Sequence, residues 1–129
     1  MKFAKTVFWC AGVWGVLVLT PLYFLFDRIG REYPPAITHP DFFYGFVGVA
    51  LAWQVAFLVI ASDPARFRQL MIPAILEKVS YSGALFILFA QRRLNPAQLP
   101  FAGVDLLFAI LFLAAFFRTR TVAAAGAAR

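Results

Sequence analysis

Hydrophobic residues of this chain fall into four long runs, separated by short segments rich in charged residues and proline. Each run is near the 17 to 25 residues, or about 20 on average, that a helix needs to cross the hydrocarbon core of a bilayer. The pattern therefore predicts an all-α, polytopic transmembrane four-helix bundle. The predicted spans, called the first to fourth segments, are residues 7–26, 42–61, 70–90 and 101–117.

The overall composition supports the same prediction. Hydrophobic residues make up 63% of the 129 residues and charged residues only 14%, whereas soluble domains are about half apolar and a quarter charged. The connections between the runs are too short to hold a separate soluble domain. We therefore expect a single transmembrane domain over residues 1–129.

The formal net charge of +6 has basic residues at the segment ends rather than in one tract, which argues against a nucleic-acid partner. If the segments alternate in direction, the basic residues divide seven to four between the two sides. Because basic residues favour the cytoplasmic side, both termini are predicted to be cytoplasmic. The larger group is Lys2, Lys5, Arg66, Arg68, Arg118, Arg120 and Arg129, and the smaller is Arg28, Arg31, Arg92 and Arg93.

The connection before the third segment carries a helix-start signal. Asp63 is followed by Pro64, and such a pair can cap free amides while the proline occupies the first helical position. We predict a short interfacial helix here, with Arg66 and Arg68 as anchors to lipid headgroups. Lys78, in the third segment, has a long stem and is predicted to reach the same headgroups.

Glu77 is the most unusual residue of the third segment, and its meaning depends on Pro73. If the helix runs on from about Leu70, the carboxylate lies about 10 Å inside the span, where it is costly unless satisfied. If a new helix begins at Pro73, the carboxylate lies in its first turns, where the helix dipole favours it. The first alternative points to function and the second to anchoring.

Glu77 shares a helical face with Ser80 and Tyr81, and Gln54 of the second segment lies at nearly the same depth. These residues are candidates for a polar or ligand-binding site, with a Gln54–Glu77 contact as the preferred pair. Asp105 is a further candidate, about one turn inside the fourth segment.

Asp105 has two interpretations. Free amides at the helix start or water could satisfy its carboxylate, or it could join a pocket with Thr20, Tyr23 or Tyr44. Its predicted depth differs from that of Glu77 by about 10 Å, so the two acids are not expected to share a proton.

Small residues recur at steps of four in the second segment, at Gly48, Ala52 and Ala56. Such a stripe lets another helix approach closely. Gln54 points to the opposite side of the helix, so the bundle contacts both sides or the stripe meets another subunit. We predict a helix-packing interface here, within the bundle or in a homo-oligomer.

The sequence lacks the residues that catalytic and metal sites need. His39 is the single histidine and lies between prolines in a connection, so paired histidine ligands for haem or a metal are missing. Neither a glycine-rich phosphate loop nor an activated-nucleophile motif is present. The sequence predicts no enzyme activity, no metal site and no cofactor.

Ten positions of the second to fourth segments and their connections form a recurring pattern: Tyr44, Gly45, Gln54, Asp63, Pro64, Arg66, Pro73, Glu77, Lys78 and Asp105. With this pattern the segments resemble a group of small bacterial four-helix membrane proteins of unknown activity, and Glu77 followed by small residues is loosely similar to DoxX-like proteins. The resemblance implies a four-helix architecture in the bacterial inner membrane. It supplies no mechanism.

Two functional hypotheses follow. The first is a noncatalytic accessory subunit or interaction module, with membrane lipids and a homo-oligomer or larger membrane complex as partners. The alternative is a small transporter or ligand binder that uses Glu77 and Gln54.

Overall fold

The computed structural model describes the backbone of residues 1–129 and the side chains of all residues except 121–124. The chain is all-α, which confirms the predicted class. Three of the helices adjoin a short 3-10 segment, at Thr20–Phe24, Arg68–Leu70 and Pro96–Gln98. The helices are α1 (Lys2–Leu19), α2 (Phe26–Glu32), α3 (Pro40–Ser62), α4 (Met71–Ala90) and α5 (Leu99–Ala127).

The four long helices correspond to the four hydrophobic segments, and each is long and apolar enough to cross a membrane. α5 extends beyond the predicted end at Phe117 and continues to Ala127. The added residues are rich in alanine, which has the highest intrinsic helix propensity. Hydropathy reports where apolar residues stop, whereas the helix continues as long as its residues favour helical backbone.

The long helices form two antiparallel hairpins. α1 packs against α3, α4 packs against α5, and α1 also contacts α5, whereas α3 and α4 touch only slightly. We call the end of the bundle that carries α2 and the 91–95 connection the loop end. The opposite end, which carries the 63–70 connection, is the turn end.

Aromatic side chains fill the core near the turn end. Phe8, Phe57 and Phe112 are fully buried. The ring of Phe112 stacks on Phe8 with 4.1 Å between centroids and meets Phe57 edge-on at 5.0 Å. This geometry is favourable for aromatic pairs.

Glycines of α1 allow its close approach to α3. A Cβ atom at Gly12 would come within 2.7 Å of the Leu58 side chain, and one at Gly15 would overlap the side chain of Gln54. The predicted stripe is used differently, because Ala52 is exposed while Gly48 and Ala56 are half-buried. Packing within the bundle is therefore the wrong interpretation for Ala52.

The short interfacial helix predicted before α4 does not form as an α-helix. Residues 64–67 form turns, and the 3-10 segment Arg68–Leu70 leads directly into α4. The expected cap is present, since the Asp63 carboxylate accepts a hydrogen bond of 3.2 Å from the Arg66 amide. The cap at Asp63 therefore starts a turn that leads into α4, and not a separate α-helix.

Candidate functional site

A polar cleft lies between the two hairpins and extends from the middle of the bundle toward the loop end. Its volume is about 140 Å³. All four long helices contribute to it, and the weak α3–α4 contact leaves the space open. The lining residues are Trp14, Gly15, Val18, Leu19, Leu22, Phe46, Ala50, Gln54, Glu77, Lys78, Tyr81, Gln98, Phe101 and Asp105.

Lys78 is the central charged residue of this cleft. Only 3% of the residue is exposed. Its Nζ lies 3.1 Å from Oδ1 of Asp105 and 3.7 Å from Oε2 of Glu77. The contact with Asp105 is a charge-assisted hydrogen bond, whereas the contact with Glu77 is too long for one. The cluster holds two carboxylates and one ammonium, so it carries an excess of negative charge when all three are ionised.

The helical repeat of α4 turns these side chains in different directions. Met71, Ala74, Lys78 and Ser82 follow one another at steps of three and four and form its buried face. The Ser82 hydroxyl donates a 2.9 Å hydrogen bond to the Lys78 carbonyl oxygen. Glu77 is rotated by about 100 degrees from Lys78, and it borders the cleft.

Aromatic rings also surround the ammonium of Lys78. Its Nζ lies 5.2 Å from the centroid of the Phe57 ring and 6.0 Å from that of Phe108. Both distances are within the range of cation–π attraction. Two carboxylates and two rings therefore compensate one buried charge.

Gln54 is the most buried polar residue of the cleft, with 1% exposed. Its Nε2 donates a 2.9 Å hydrogen bond to the Ala50 carbonyl oxygen. Its Oε1 is buried and accepts no hydrogen bond from any residue whose side chain is described. The space for this side chain exists because Gly15 has no Cβ atom.

Glu77 presents a second acceptor without a hydrogen bond, although Lys78 Nζ lies 3.7 Å away. Its Oε2 is buried and, within the described part of the chain, accepts no hydrogen bond. α4 begins at Met71 and continues through Pro73, so the helix is continuous and Glu77 lies about 9 Å from its start at 1.5 Å per residue. Of the two alternatives for Pro73, the structure supports the continuous helix.

The predicted polar group is only partly assembled. Gln54, Glu77 and Tyr81 all line the cleft. The preferred Gln54–Glu77 contact is wrong as a direct hydrogen bond, because the amide of Gln54 turns back to its own helix. Ser80 is exposed and does not line the cleft, because it is rotated by about 100 degrees around α4 from Tyr81.

The predictions for Lys78 and Asp105 are corrected by the structure. Lys78 is not a headgroup anchor, because its ammonium is buried against Asp105. Asp105 is not grouped with Tyr23 and Tyr44, whose rings instead stack on each other at 6.1 Å. Asp105 Oδ1 and Glu77 Oε2 both lie within 3.7 Å of Lys78 Nζ, so the predicted separation of about 10 Å between the two acids is wrong for these oxygens.

The two predicted arginine anchors differ from each other. Arg66 is exposed, whereas Arg68 contacts α5. The Arg68 Nε donates a 3.2 Å hydrogen bond to the Phe116 carbonyl oxygen, and its guanidinium lies 3.7 Å from the centroid of the Phe116 ring. Arg68 therefore fastens the turn to α5, while Arg66 is free to face the surroundings.

The Lys78–Asp105 pair and the role of Gly15 were not predicted from the sequence. A signal for the pair was present, because opposite charges in apolar helices usually pair with each other. The glycines of α1 also carried a signal, since small residues at short spacing mark close helix contacts. Neither signal identifies the partner residue.

Comparison of the chain with protein-family models, with curated protein sequences and with solved structures finds no match.

Proposed function

We propose that this chain is an integral membrane protein that binds a small ligand in the cleft between its hairpins, as a transporter or a membrane-embedded binding protein. The observation that carries the proposal is a pair of buried acceptors at the cleft, Gln54 Oε1 and Glu77 Oε2, that accept no hydrogen bond from any described residue. Polar and ionisable groups inside membrane helices are costly and usually mark functional sites.

Energetics supports this proposal over packing alone. Each buried acceptor without a donor costs about 1–3 kcal/mol, and such groups normally find a partner. Packing alone does not require this cost, because a larger residue at position 15 and an apolar residue at position 54 would fill the same space without a buried oxygen that lacks a donor. A ligand that donates a hydrogen bond in the cleft offsets the cost.

Cysteine accessibility tests whether the cleft is open to water. In a Cys10→Ser background, Ala50→Cys places a thiol in the cleft, and Val49→Cys places the neighbouring thiol on the outer surface of α3. Both proteins are reconstituted in vesicles and exposed to a membrane-impermeant methanethiosulfonate reagent. We expect modification of Ala50→Cys and protection of Val49→Cys by lipid.

The other outcomes have distinct meanings. If neither thiol reacts, although both react in detergent after unfolding, the cleft is closed to water and the ligand-binding proposal is wrong. If Val49→Cys reacts as fast as Ala50→Cys, α3 is not surrounded by lipid and the membrane assignment is wrong.

We also propose a location in the bacterial inner membrane with both termini in the cytoplasm. The turn end carries Arg66, Arg68 and Arg118, in line with the bias of basic residues toward the cytoplasm. Thiols introduced by Arg66→Cys and Arg92→Cys report the two ends. In intact cells with a permeable outer membrane, the impermeant reagent should label Arg92→Cys and spare Arg66→Cys.

A second candidate is a noncatalytic accessory module that assembles through α3. The exposed Ala52 in a stripe of small residues favours it. Ala52→Leu should abolish a crosslinked homo-oligomer that forms in lipid, while Ala84→Leu, at another exposed alanine on α4, should not. Equal crosslinking of both variants contradicts assembly through this stripe.

A further inference from the structure

The charge of the cleft restricts what it can bind, and this inference rests on the proposed function. Lys78 Nζ contacts Asp105 at 3.1 Å and lies 3.7 Å from Glu77. Its positive charge is therefore shared between two carboxylates. Lys78 is the one cation among the described residues that line the cleft, and it is already engaged. An anionic ligand would therefore approach two negative groups, which makes anions unfavourable occupants.

The buried hydrogen-bonding atoms of the cleft that lack a partner are both acceptors. Within the described part of the chain, Gln54 Oε1 and Glu77 Oε2 accept no hydrogen bond, although the ammonium of Lys78 lies 3.7 Å from Glu77 Oε2. The orientation of the Gln54 amide follows from its neighbour, because a flipped amide would point its oxygen at the Ala50 carbonyl oxygen and lose the 2.9 Å bond. A ligand that satisfies both atoms must therefore donate hydrogen bonds.

Aromatic residues form much of the remaining wall. Trp14, Phe46, Tyr81 and Phe101 line the cleft, and the rings of Phe46 and Tyr81 stack with 6.1 Å between centroids. Such rings provide apolar contact area and attract cations at their faces. The volume of about 140 Å³ has room for an ammonium with one compact apolar group.

We propose that the ligand is a small organic ammonium ion, a protonated primary amine with a compact apolar group. The ammonium has three donors and no acceptor, so it matches a cleft whose buried atoms without a hydrogen bond, Glu77 Oε2 and Gln54 Oε1, are acceptors. Its charge balances the excess carboxylate. The apolar group contacts the aromatic wall.

Three probes of similar shape test this assignment: phenethylammonium, phenethyl alcohol and phenylacetate. Binding to the full chain in nanodiscs is measured by calorimetry, and each probe is also tested for protection of Ala50→Cys against thiol modification. We expect phenethylammonium to bind at least about tenfold more tightly than the alcohol, in line with a charge-assisted hydrogen bond. Phenylacetate should bind most weakly.

Two variants with the same change of charge locate the binding. Glu77→Gln removes the carboxylate in the cleft, and Glu32→Gln removes an exposed one that pairs with Arg28 on α2. Phenethylammonium affinity should fall about tenfold or more in Glu77→Gln and remain unchanged in Glu32→Gln. If Glu77→Gln does not fold, the comparison of the three probes on the unaltered cleft decides.

The failures of the two proposals are distinguishable. Equal binding of alcohol and ammonium, or equal affinity in both variants, overturns the ammonium assignment and leaves a cleft for neutral ligands. Reaction of Ala50→Cys without protection by phenethylammonium also overturns the assignment while an open cleft remains. An unreactive Ala50→Cys with no binding of any probe overturns both proposals.

Discussion

The buried contact between Lys78 and Asp105 should be a strongly coupled ion pair, which a double-mutant cycle can measure. The perturbations are Lys78→Met, which keeps much of the stem and removes the charge, and Asp105→Asn, which keeps the shape of the carboxylate. The double variant completes the cycle. Coupling is the amount by which the cost of the double variant falls short of the sum of the two single costs.

The magnitude follows from the geometry. At 3.1 Å and an effective dielectric constant of about 20, the gross attraction between unit charges is about 5 kcal/mol. Desolvation of both groups offsets much of this. Removing one partner from a buried pair nevertheless costs about 3–5 kcal/mol, because the remaining charge is left uncompensated.

The two single variants should differ in their cost. Lys78→Met leaves two carboxylates without a cation and should lower the free energy of unfolding by about 4 kcal/mol. Asp105→Asn should cost about 2 kcal/mol, because the amide oxygen can still accept from Lys78 and Glu77 remains a second carboxylate nearby. The double variant leaves only Glu77 charged, so we expect a total of about 3–4 kcal/mol and a coupling of about 2–3 kcal/mol.

Unfolding by sodium dodecyl sulfate in mixed lipid–detergent micelles, followed by far-ultraviolet circular dichroism, gives these free energies. Ser80→Ala, at an exposed position of α4, is the control and should change stability by no more than about 0.5 kcal/mol. Hydrogen bonds between membrane helices couple by about 0.6 kcal/mol on average. A measured coupling at or below that value would refute a desolvated ion pair.

Two further predictions concern helix packing. Gly15→Ala should destabilise the chain by about 1–3 kcal/mol through overpacking against Gln54, and Gln54→Ala should restore stability in the double variant. Gly45→Ala, which meets only open space, should instead stabilise α3 by up to about 1 kcal/mol, and equal effects at the two glycines would contradict the proposed packing. Arg68→Ala should cost about 1–2 kcal/mol through loss of its hydrogen bond and ring contact with α5, measured by the same unfolding assay. Arg66→Ala should be neutral within about 0.5 kcal/mol, and a loss as large as that of Arg68→Ala would argue against a specific clamp.

Hydropathy and local signals determined the helical class and the approximate spans of this chain. A long apolar run favours a helix wherever it lies, so these features need no knowledge of neighbouring segments. The cap at Asp63 is equally local, since it depends on residues three apart in the chain. Candidate polar residues such as Glu77 and Gln54 could also be selected, because their cost in an apolar segment is evident from composition.

Tertiary structure alone decided which polar groups meet. Lys78 and Asp105 are 27 residues apart, and their contact depends on the rotation and relative depth of two helices, to which hydropathy is insensitive. The missing side chain of Gly15 determines where Gln54 fits, and the amide of Gln54 then turns to Ala50 instead of Glu77. The sequence thus determined how many helices form and which residues are costly inside them, whereas packing between the helices determined how those residues are satisfied and where the cleft lies.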